Sequence, residues 1–276
     1  MTSLSPRTHT GNGTSALQIT TRELRELFAI KHGPAETWGW APRRRRAFGY
    51  YQPVDYYEAL VTKLVTEKTD WIDVGGGDAI FPHSDVHAQL VSERARRLVG
   101  VDPSGNILNN TFVHERIQCT IEDYQTEHQF DLVTLRMVAE HITDPNAVVQ
   151  ALNRLLRPGG MAVIFTVNLW SVVTVISRIV PFPLHYPIKR LFWGGDEKDT
   201  FPTTYKMNTR CQLGSLFADG GFTERYFAYL DDLCVFRHFK PLNYLELVTW
   251  RTLKQLGTGY PENCLLVVYE KTDDIS

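Results

Sequence analysis

The segment Asp73-Val-Gly-Gly-Gly-Asp-Ala79 sets an acid two residues before a run of three glycines. Glycine has no Cβ, reaches φ > 0 at no steric cost and lets a ligand approach the backbone. The apolar run Trp71–Val74 reads as a buried strand, so the glycines open a loop at its carboxyl end. A second apolar run, Arg97–Val101, stops at Asp102, 27 residues after Gly75. A carboxylate in that place can accept two hydrogen bonds from a ribose diol. Neither signal is specific alone. Glycine turns also serve packing, and an Asp after a strand often caps the next helix. Their conjunction points to a nucleoside-bearing cofactor.

Other chemistry-bearing residues are less directive. His83 and His87 flank Asp85 at i, i+4 spacing, but no further ligand accompanies them; a solvated face is expected and no metal. His141 follows Glu140; an imidazole of ordinary pKa ~6.5 suits a general base near neutrality, and a structural histidine is the other reading. Arg43–Arg46 is a run of four arginines among Trp38, Trp40, Phe48, Tyr50 and Tyr51. It suits substrate phosphates or anionic lipid heads, or is a solvated face.

The elements that must position these residues alternate. Strand-like runs at 71–74, 97–101, 130–135 and 161–167 are separated by helix candidates near 84–96, 105–112 and 144–156. Such alternation implies a doubly wound, mostly parallel α/β sheet with ligands at the strands' carboxyl ends. Before it come helix candidates at 21–32, with Thr21 as N-cap, and 53–66. After it come a helix start at 208–216, a strand at 222–230, a helix at 241–256 and a last strand at 264–269. Residues 1–20, rich in Ser, Thr and Gly and lacking a signal peptide's apolar core, read as a disordered tail. Residues 21–276 form one domain, with a helical cap at 21–66 and an insertion at 168–208.

Ile80 stands where a dinucleotide fingerprint, G-x-G-x-x-G, needs its third glycine, which weakens a nucleotide-dependent oxidoreductase reading. Five motifs in order across about 100 residues resemble the class I S-adenosylmethionine (SAM)-dependent methyltransferases: D73-V-G-G-G-D-A79, V99-G-V-D102, Ile121-Glu122-Asp123, FDLVTLRMVAEHITDP at 130–145 and LLRPGGMAVIF at 155–165. Ala79 replaces that family's last loop glycine. The fourth motif is similar to the branch containing the quinone-biosynthesis methyltransferases. The resemblance implies a seven-stranded sheet and SAM as cofactor. It implies Asp73, Gly75, Gly76 and Gly77 along the methionine part, Asp102 on the ribose and Asp123, with Glu122, beside adenine. Ile80 or Pro103 would cover the adenine face, and Arg136 would sit near the methionine carboxylate or the substrate mouth. A catalytically silent SAM-fold binding protein is the alternative.

The acceptor is expected to be a small molecule: aromatic, lipidic or phosphate-bearing. The aromatic-rich insertion 168–208 is its expected cover, with Trp170, Tyr205 and Arg178 as substrate residues; a satellite core is the other reading. In that case the acceptor site falls to Arg43–Arg46 and the N-terminal helix. Lys189-Arg190 beside Leu191-Phe192-Trp193 also suits a peripheral membrane contact.

Composition sets the outer limits. Hydrophobic residues at 43% and charged residues at 22% are a globular mix. Twenty-nine Lys and Arg against 31 Asp and Glu, net −2, give no bias toward nucleic acid. Cys119, Cys211, Cys234 and Cys264 are far apart with no C-x-x-C, so a reducing cytoplasm is expected rather than a disulfide or zinc framework. Gly159–Ser177 is nineteen residues without a charge, close to the ~20 a spanning helix needs. Its opening Pro-Gly-Gly turn and β-branched start favour a strand instead.

Overall fold

The computed structural model describes residues 6–10, 15–171, 203–233, 236, 239–257 and 262–272. The described strands are β1 (Arg7–Thr10), β2 (Asp70–Val74), β3 (Arg97–Val101), β4 (Glu115–Ile117), β5 (Phe130–Arg136), β6 (Leu156–Val167), β7 (Phe222–Asp231) and β8 (Glu262–Lys271). They form one sheet in the order β1-β7-β8-β6-β5-β2-β3-β4. Strands β2 to β6 pair in parallel; β8 is antiparallel to both β6 and β7. Seven strands match the expectation. The eighth, β1, pairs antiparallel with β7 and corrects the reading of residues 1–20 as a tail without structure. Its Ser/Thr composition hid it: an edge strand can pair through its backbone alone. Leu17, in a short 3-10 turn after β1, is buried as well.

Helices α1 (Thr21–His32), α2 (Trp40–Phe48), α3 (Pro53–Leu64), α4 (Asp85–Arg94), α5 (Pro145–Leu155), α6 (Arg210–Asp219) and α7 (Lys240–Gln255) complete the described chain. The N-cap of α1 is Thr20, not Thr21: its hydroxyl accepts from the Glu23 N–H at 3.2 Å while Glu23 Oε2 accepts from the Thr20 N–H at 2.7 Å. This reciprocal box satisfies two orphan donors and sets the entry one residue earlier. Residues 105–109 make a 3-10 turn rather than a full helix, ended at Asn110. The arginine run is itself helical, forming the second half of α2.

Apolar residues cover both faces of the sheet, as a doubly wound fold requires. Trp71, Leu98, Leu132 and Phe165 meet α1, α3 and α4 on one face; Ile72, Val99, Val133 and Ile164 meet α5 and α6 on the other. The central strand β2 is buried along its whole length, consistent with a parallel strand covered on both sides. Residues Gly159–Val167 lie inside β6, and no described helix is long and apolar enough to cross a membrane.

Two of the cap helices, α1 and α3, are tied to each other by charge. Lys31 Nζ, almost wholly buried, meets Asp55 Oδ1 and Glu58 Oε2 at 2.7 Å each. His87 is buried in α4, stacks on Phe81 at 4.7 Å and shares a 2.7 Å hydrogen bond between Nε2 and Thr62 Oγ1. It is therefore a core residue rather than the surface residue expected. From β2 the chain runs outward through β3 and β4, then returns to β5 on the other side of β2. That reversal opens a crevice at the carboxyl ends of β2 and β5.

Candidate active site

The glycine loop fills this crevice. Gly75 has φ +67° and donates its N–H to the Val101 carbonyl at 2.8 Å, tying the loop to β3. A Cβ at Gly75 would run into Val138 Cγ2, and one at Gly76 into Asp73 Oδ2. Over Gly77 nothing lies within 4 Å of where a Cβ would be. The loop is thus tight below and open above, which suits a ligand lying along the backbone.

Asp73 lies under the loop. It is 2% exposed, and its Oδ1 accepts from Thr134 Oγ1 at 2.6 Å. Burial pushes its carboxyl up to about 7, partly opposed by the Thr134 hydrogen bond and the Arg136 charge. The folded chain therefore holds a proton here that the unfolded chain releases near pH 4. The contribution is fully favourable below that pH and is lost as pH rises toward 7. Asp73→Asn keeps an acceptor for Thr134 and removes the buried charge. Its melting temperature should consequently fall less than the wild type's between pH 5 and 8, by the ordinary range of carboxylate titration. Parallel melting curves for the two proteins would show that Asp73 does not titrate in that window.

Asp102, at the end of β3, joins loop to strand. Its Oδ2 accepts from the Gly77 N–H at 2.9 Å and its Oδ1 from the Ser104 N–H at 2.7 Å. Each carboxylate oxygen has a further lone pair, so capacity for ribose hydroxyls remains. Pro103 is exposed beside it. Asn110, which sequence reasoning passed over, is fully buried and donates from Nδ2 to the Gly77 carbonyl at 3.1 Å. After β4, Ile121 and Tyr124 are buried while Glu122 is half-buried and Asp123 exposed; Asp123 Oδ2 accepts from Thr120 Oγ1 at 2.9 Å. Ile80 is buried in the core and faces no open space, so it does not cover a ligand. Open space over Gly77, a carboxylate at the next strand end and polar residues after the third together fit an adenosyl group.

Beside the loop lies a cavity of about 450 Å³. Arg136 and Met137 from the end of β5, Phe165 from β6 and Cys264 from β8 form its floor. Ala41 and Arg45 of α2, Pro53 and Val54 of α3, and Asn243 and Leu247 of α7 form its walls. Arg136 makes no hydrogen bond or ion pair among the described residues. Arg45, by contrast, is held by His32 Nε2 at 3.1 Å and Gln52 Oε1. Met137 takes a positive φ of 55° as the chain leaves β5, its N–H donating to the Phe165 carbonyl at 2.7 Å.

Several expected substrate residues lie elsewhere. Trp170 is 73% exposed, in a depression with Thr209, Arg210 and Tyr229. The chain is turned that way by Leu169, whose N–H donates to the Asn208 carbonyl at 2.9 Å. Tyr205 has φ +53° and is held through its backbone by the Glu140 carbonyl and by Gln212 Nε2, and it does not line the cavity. Arg178 and Lys189-Arg190 lie outside the described residues. His141 is half-buried in the turn after β5, its N–H on the Val138 carbonyl at 2.9 Å, and it also stands apart from the cavity lining. Its neighbour Glu140 is buried and accepts from Thr166 Oγ1 at 2.7 Å; burial raises its carboxyl above the usual range. No cluster of metal-ligating side chains occurs among the described residues.

A family profile described as a methyltransferase domain matches residues 42–224, from the arginine run through β6 to β7. The ubiquinone biosynthesis O-methyltransferase of Klebsiella pneumoniae subsp. pneumoniae is 28% identical over 161 residues, 50% of this chain and 64% of that protein. The protein of the same name from Vibrio atlanticus is 29% identical over the same share of this chain and 65% of its own. The chain thus spans just under two-thirds of the length of these curated relatives. Among solved structures, a Haloferax volcanii methyltransferase in complex with the Trm112 activator superposes with a TM-score of 0.53 at 15% identity, covering 86% of this chain and 96% of that one; it supports the fold alone. With the family profile spanning the glycine loop, the Asp102 strand end and the β5 and β6 motifs, the chain belongs to the methyltransferase-domain family, of the class I SAM-dependent type.

Proposed function

We propose that the chain methylates a hydroxyl of a small, largely apolar acceptor bound between α2, α3 and α7. One observation carries this reading: the cavity of about 450 Å³ lies at the carboxyl ends of β5 and β6, with Arg136 and Met137 on its floor next to Val138, which abuts Gly75 of the glycine loop. The O-methyltransferase relatives favour oxygen as the accepting atom.

Gly75, Gly76 and Gly77 leave room for the methionine part of SAM, Asp102 takes the ribose diol, and Pro103, Glu122 and Asp123 border the adenine. SAM supplies an already activated methyl group on a sulfonium. What remains for the protein is to hold the nucleophile in line, a positioning effect worth ~7–11 kcal/mol. Ala41, Val54, Phe165 and Leu247 exclude water and seat the apolar body. Arg136 places a positive charge beside the acceptor hydroxyl, which favours its ionised form, the proton passing to water at the cavity mouth.

Val54→Trp fills the cavity from a half-buried position. Transfer of labelled methyl from SAM to phenolic acceptors with apolar tails should fall at least tenfold in kcat/KM. SAM affinity should stay within twofold and the melting temperature should hold. Unchanged acceptor kinetics would move the acceptor out of this cavity. SAM binding without transfer to any hydroxyl acceptor would favour the silent binding protein.

A further inference from the structure

Helices α2 and α7 wall the cavity on their inner sides, and their outer sides are unusual. They pack through alternating rings and guanidiniums: Phe48 meets Tyr244 edge-on at 5.6 Å, Arg44 lies over Tyr244 at 5.5 Å and over Trp40 at 6.0 Å, and Arg251 lies over Phe48 at 5.9 Å. Facing outward on α7 are Leu242, Tyr244, Leu245 and Val248, with Phe239 just before the helix; Leu245 is 60% exposed. Leu242, Leu245 and Val248 recur every three residues and stay on one strip, where a soluble helix normally carries polar side chains.

The charge around this strip is one-sided. The two helices hold seven Lys and Arg (Arg43, Arg44, Arg45, Arg46, Lys240, Arg251 and Lys254) and one carboxylate, Glu246, although the chain as a whole is net −2. Glu246 is buried and accepts from Asn243 Nδ2 at 3.2 Å, so it offers no negative charge outward. Lys254 is paired with Asp231 at 2.8 Å and Arg45 faces the cavity. Arg43, Arg44 and Lys240 are exposed at the rim, Arg43 donating to the Glu36 carbonyl at 3.0 Å and Arg44 lying over two rings, with no carboxylate paired to either arginine among the described residues.

We infer that the outer face of α2 and α7 docks on an anionic phospholipid surface. Exposed leucines enter the acyl boundary, rings of Trp40, Tyr244 and Phe239 sit at headgroup level, and arginines meet phosphates. Each basic side chain near such a surface adds attraction that falls off within a Debye length. Charge complementarity selects this occupant over an apolar protein face, which would leave the rim cations without partners. Docking here would set the cavity's α2–α7 wall against the membrane, giving a lipid-borne acceptor a short way in. That consequence rests on the acceptor site proposed above; the docking does not.

The test is sedimentation of the full chain with vesicles of phosphatidylcholine alone and of phosphatidylcholine mixed with phosphatidylglycerol. Binding should be at least tenfold tighter to the anionic vesicles and should weaken with salt. Arg43→Glu with Lys240→Glu should reduce it at least tenfold, while Arg43→Lys should restore most of it in the Lys240 wild-type background. Leu242→Ser with Leu245→Ser should reduce it at least threefold at any salt concentration. SAM affinity and melting temperature should be unchanged in all of them, which separates a failure here from a failure of the acceptor-site reading. Equal binding to neutral vesicles, no binding, or binding indifferent to both paired variants would overturn the inference. So would a dimer abolished by Leu245→Ser without any vesicle binding, since the face would then belong to a second copy of the chain.

Discussion

Asp102→Ala is expected to lower SAM affinity at least tenfold in calorimetry while the fold survives. The carboxylate already accepts from two backbone N–H groups, those of Gly77 and Ser104. It pins the open arm of the glycine loop, and in the function proposed above it has a second job, taking the ribose diol. Hydrogen bonds to a charged group are worth ~1.5–3 kcal/mol each, so two lost ribose bonds predict a fall well past tenfold. The same substitution frees the Gly77 and Ser104 N–H groups beside a residue only 8% exposed, so the melting temperature should fall as well, and affinity is to be read well below it. Asp102→Asn separates the jobs, since its amide oxygen can still accept one backbone bond but carries no charge. Its affinity should lie between those of wild type and Asp102→Ala. Unchanged affinity in the alanine variant would remove the ribose from this residue.

The glycine loop and the strands around it were legible in the sequence for a physical reason. Their positions are dictated by backbone constraints that few residues satisfy. A φ of +67° at Gly75 and the close approach of Asp73 to Gly76 both exclude side chains. The parallel strands, buried on both faces, read as mostly apolar runs. Asn110 escaped because a single buried Asn holding a loop carbonyl has no periodicity or spacing to mark it. Strand β1 escaped because edge pairing through the backbone leaves no side-chain pattern.

The acceptor half was legible only in part. Trp170 and Tyr205 were chosen because aromatics cluster after β6, yet aromatic clustering cannot tell a cavity wall from an exposed turn. The direction the chain takes after Val167 depends on tertiary hydrogen bonds from Asn168 and Leu169 to Asn263 and Asn208. The alternative location, near Arg43–Arg46, is the one the function proposed above adopts, because Ala41 and Arg45 of α2 line the cavity. What the sequence could not supply was the opposing wall. Asn243 and Leu247 of α7 are about 200 residues away along the chain, and only the fold brings them to α2.

Gly75→Val should abolish measurable SAM binding, the largest loss expected of any single substitution here. Valine at φ +67° is strained for a β-branched residue, and its Cβ would displace Val138. Strain of ~1–3 kcal/mol is typical of such backbone positions, so the melting temperature should fall too. That fall leaves an ambiguity, because a distorted loop would also lose its ligand. Gly77→Ala resolves it. At φ +52° and with nothing within 4 Å of its Cβ, an alanine there meets no protein atom and costs only the left-handed backbone, ~1–2 kcal/mol. If the open space above Gly77 is where SAM lies, this change, which adds no clash with the protein, should weaken SAM binding by more than its own fall in melting temperature accounts for. A Gly77→Ala variant that binds SAM normally, beside a Gly75→Val variant that also binds, would make the loop a packing turn and nothing more.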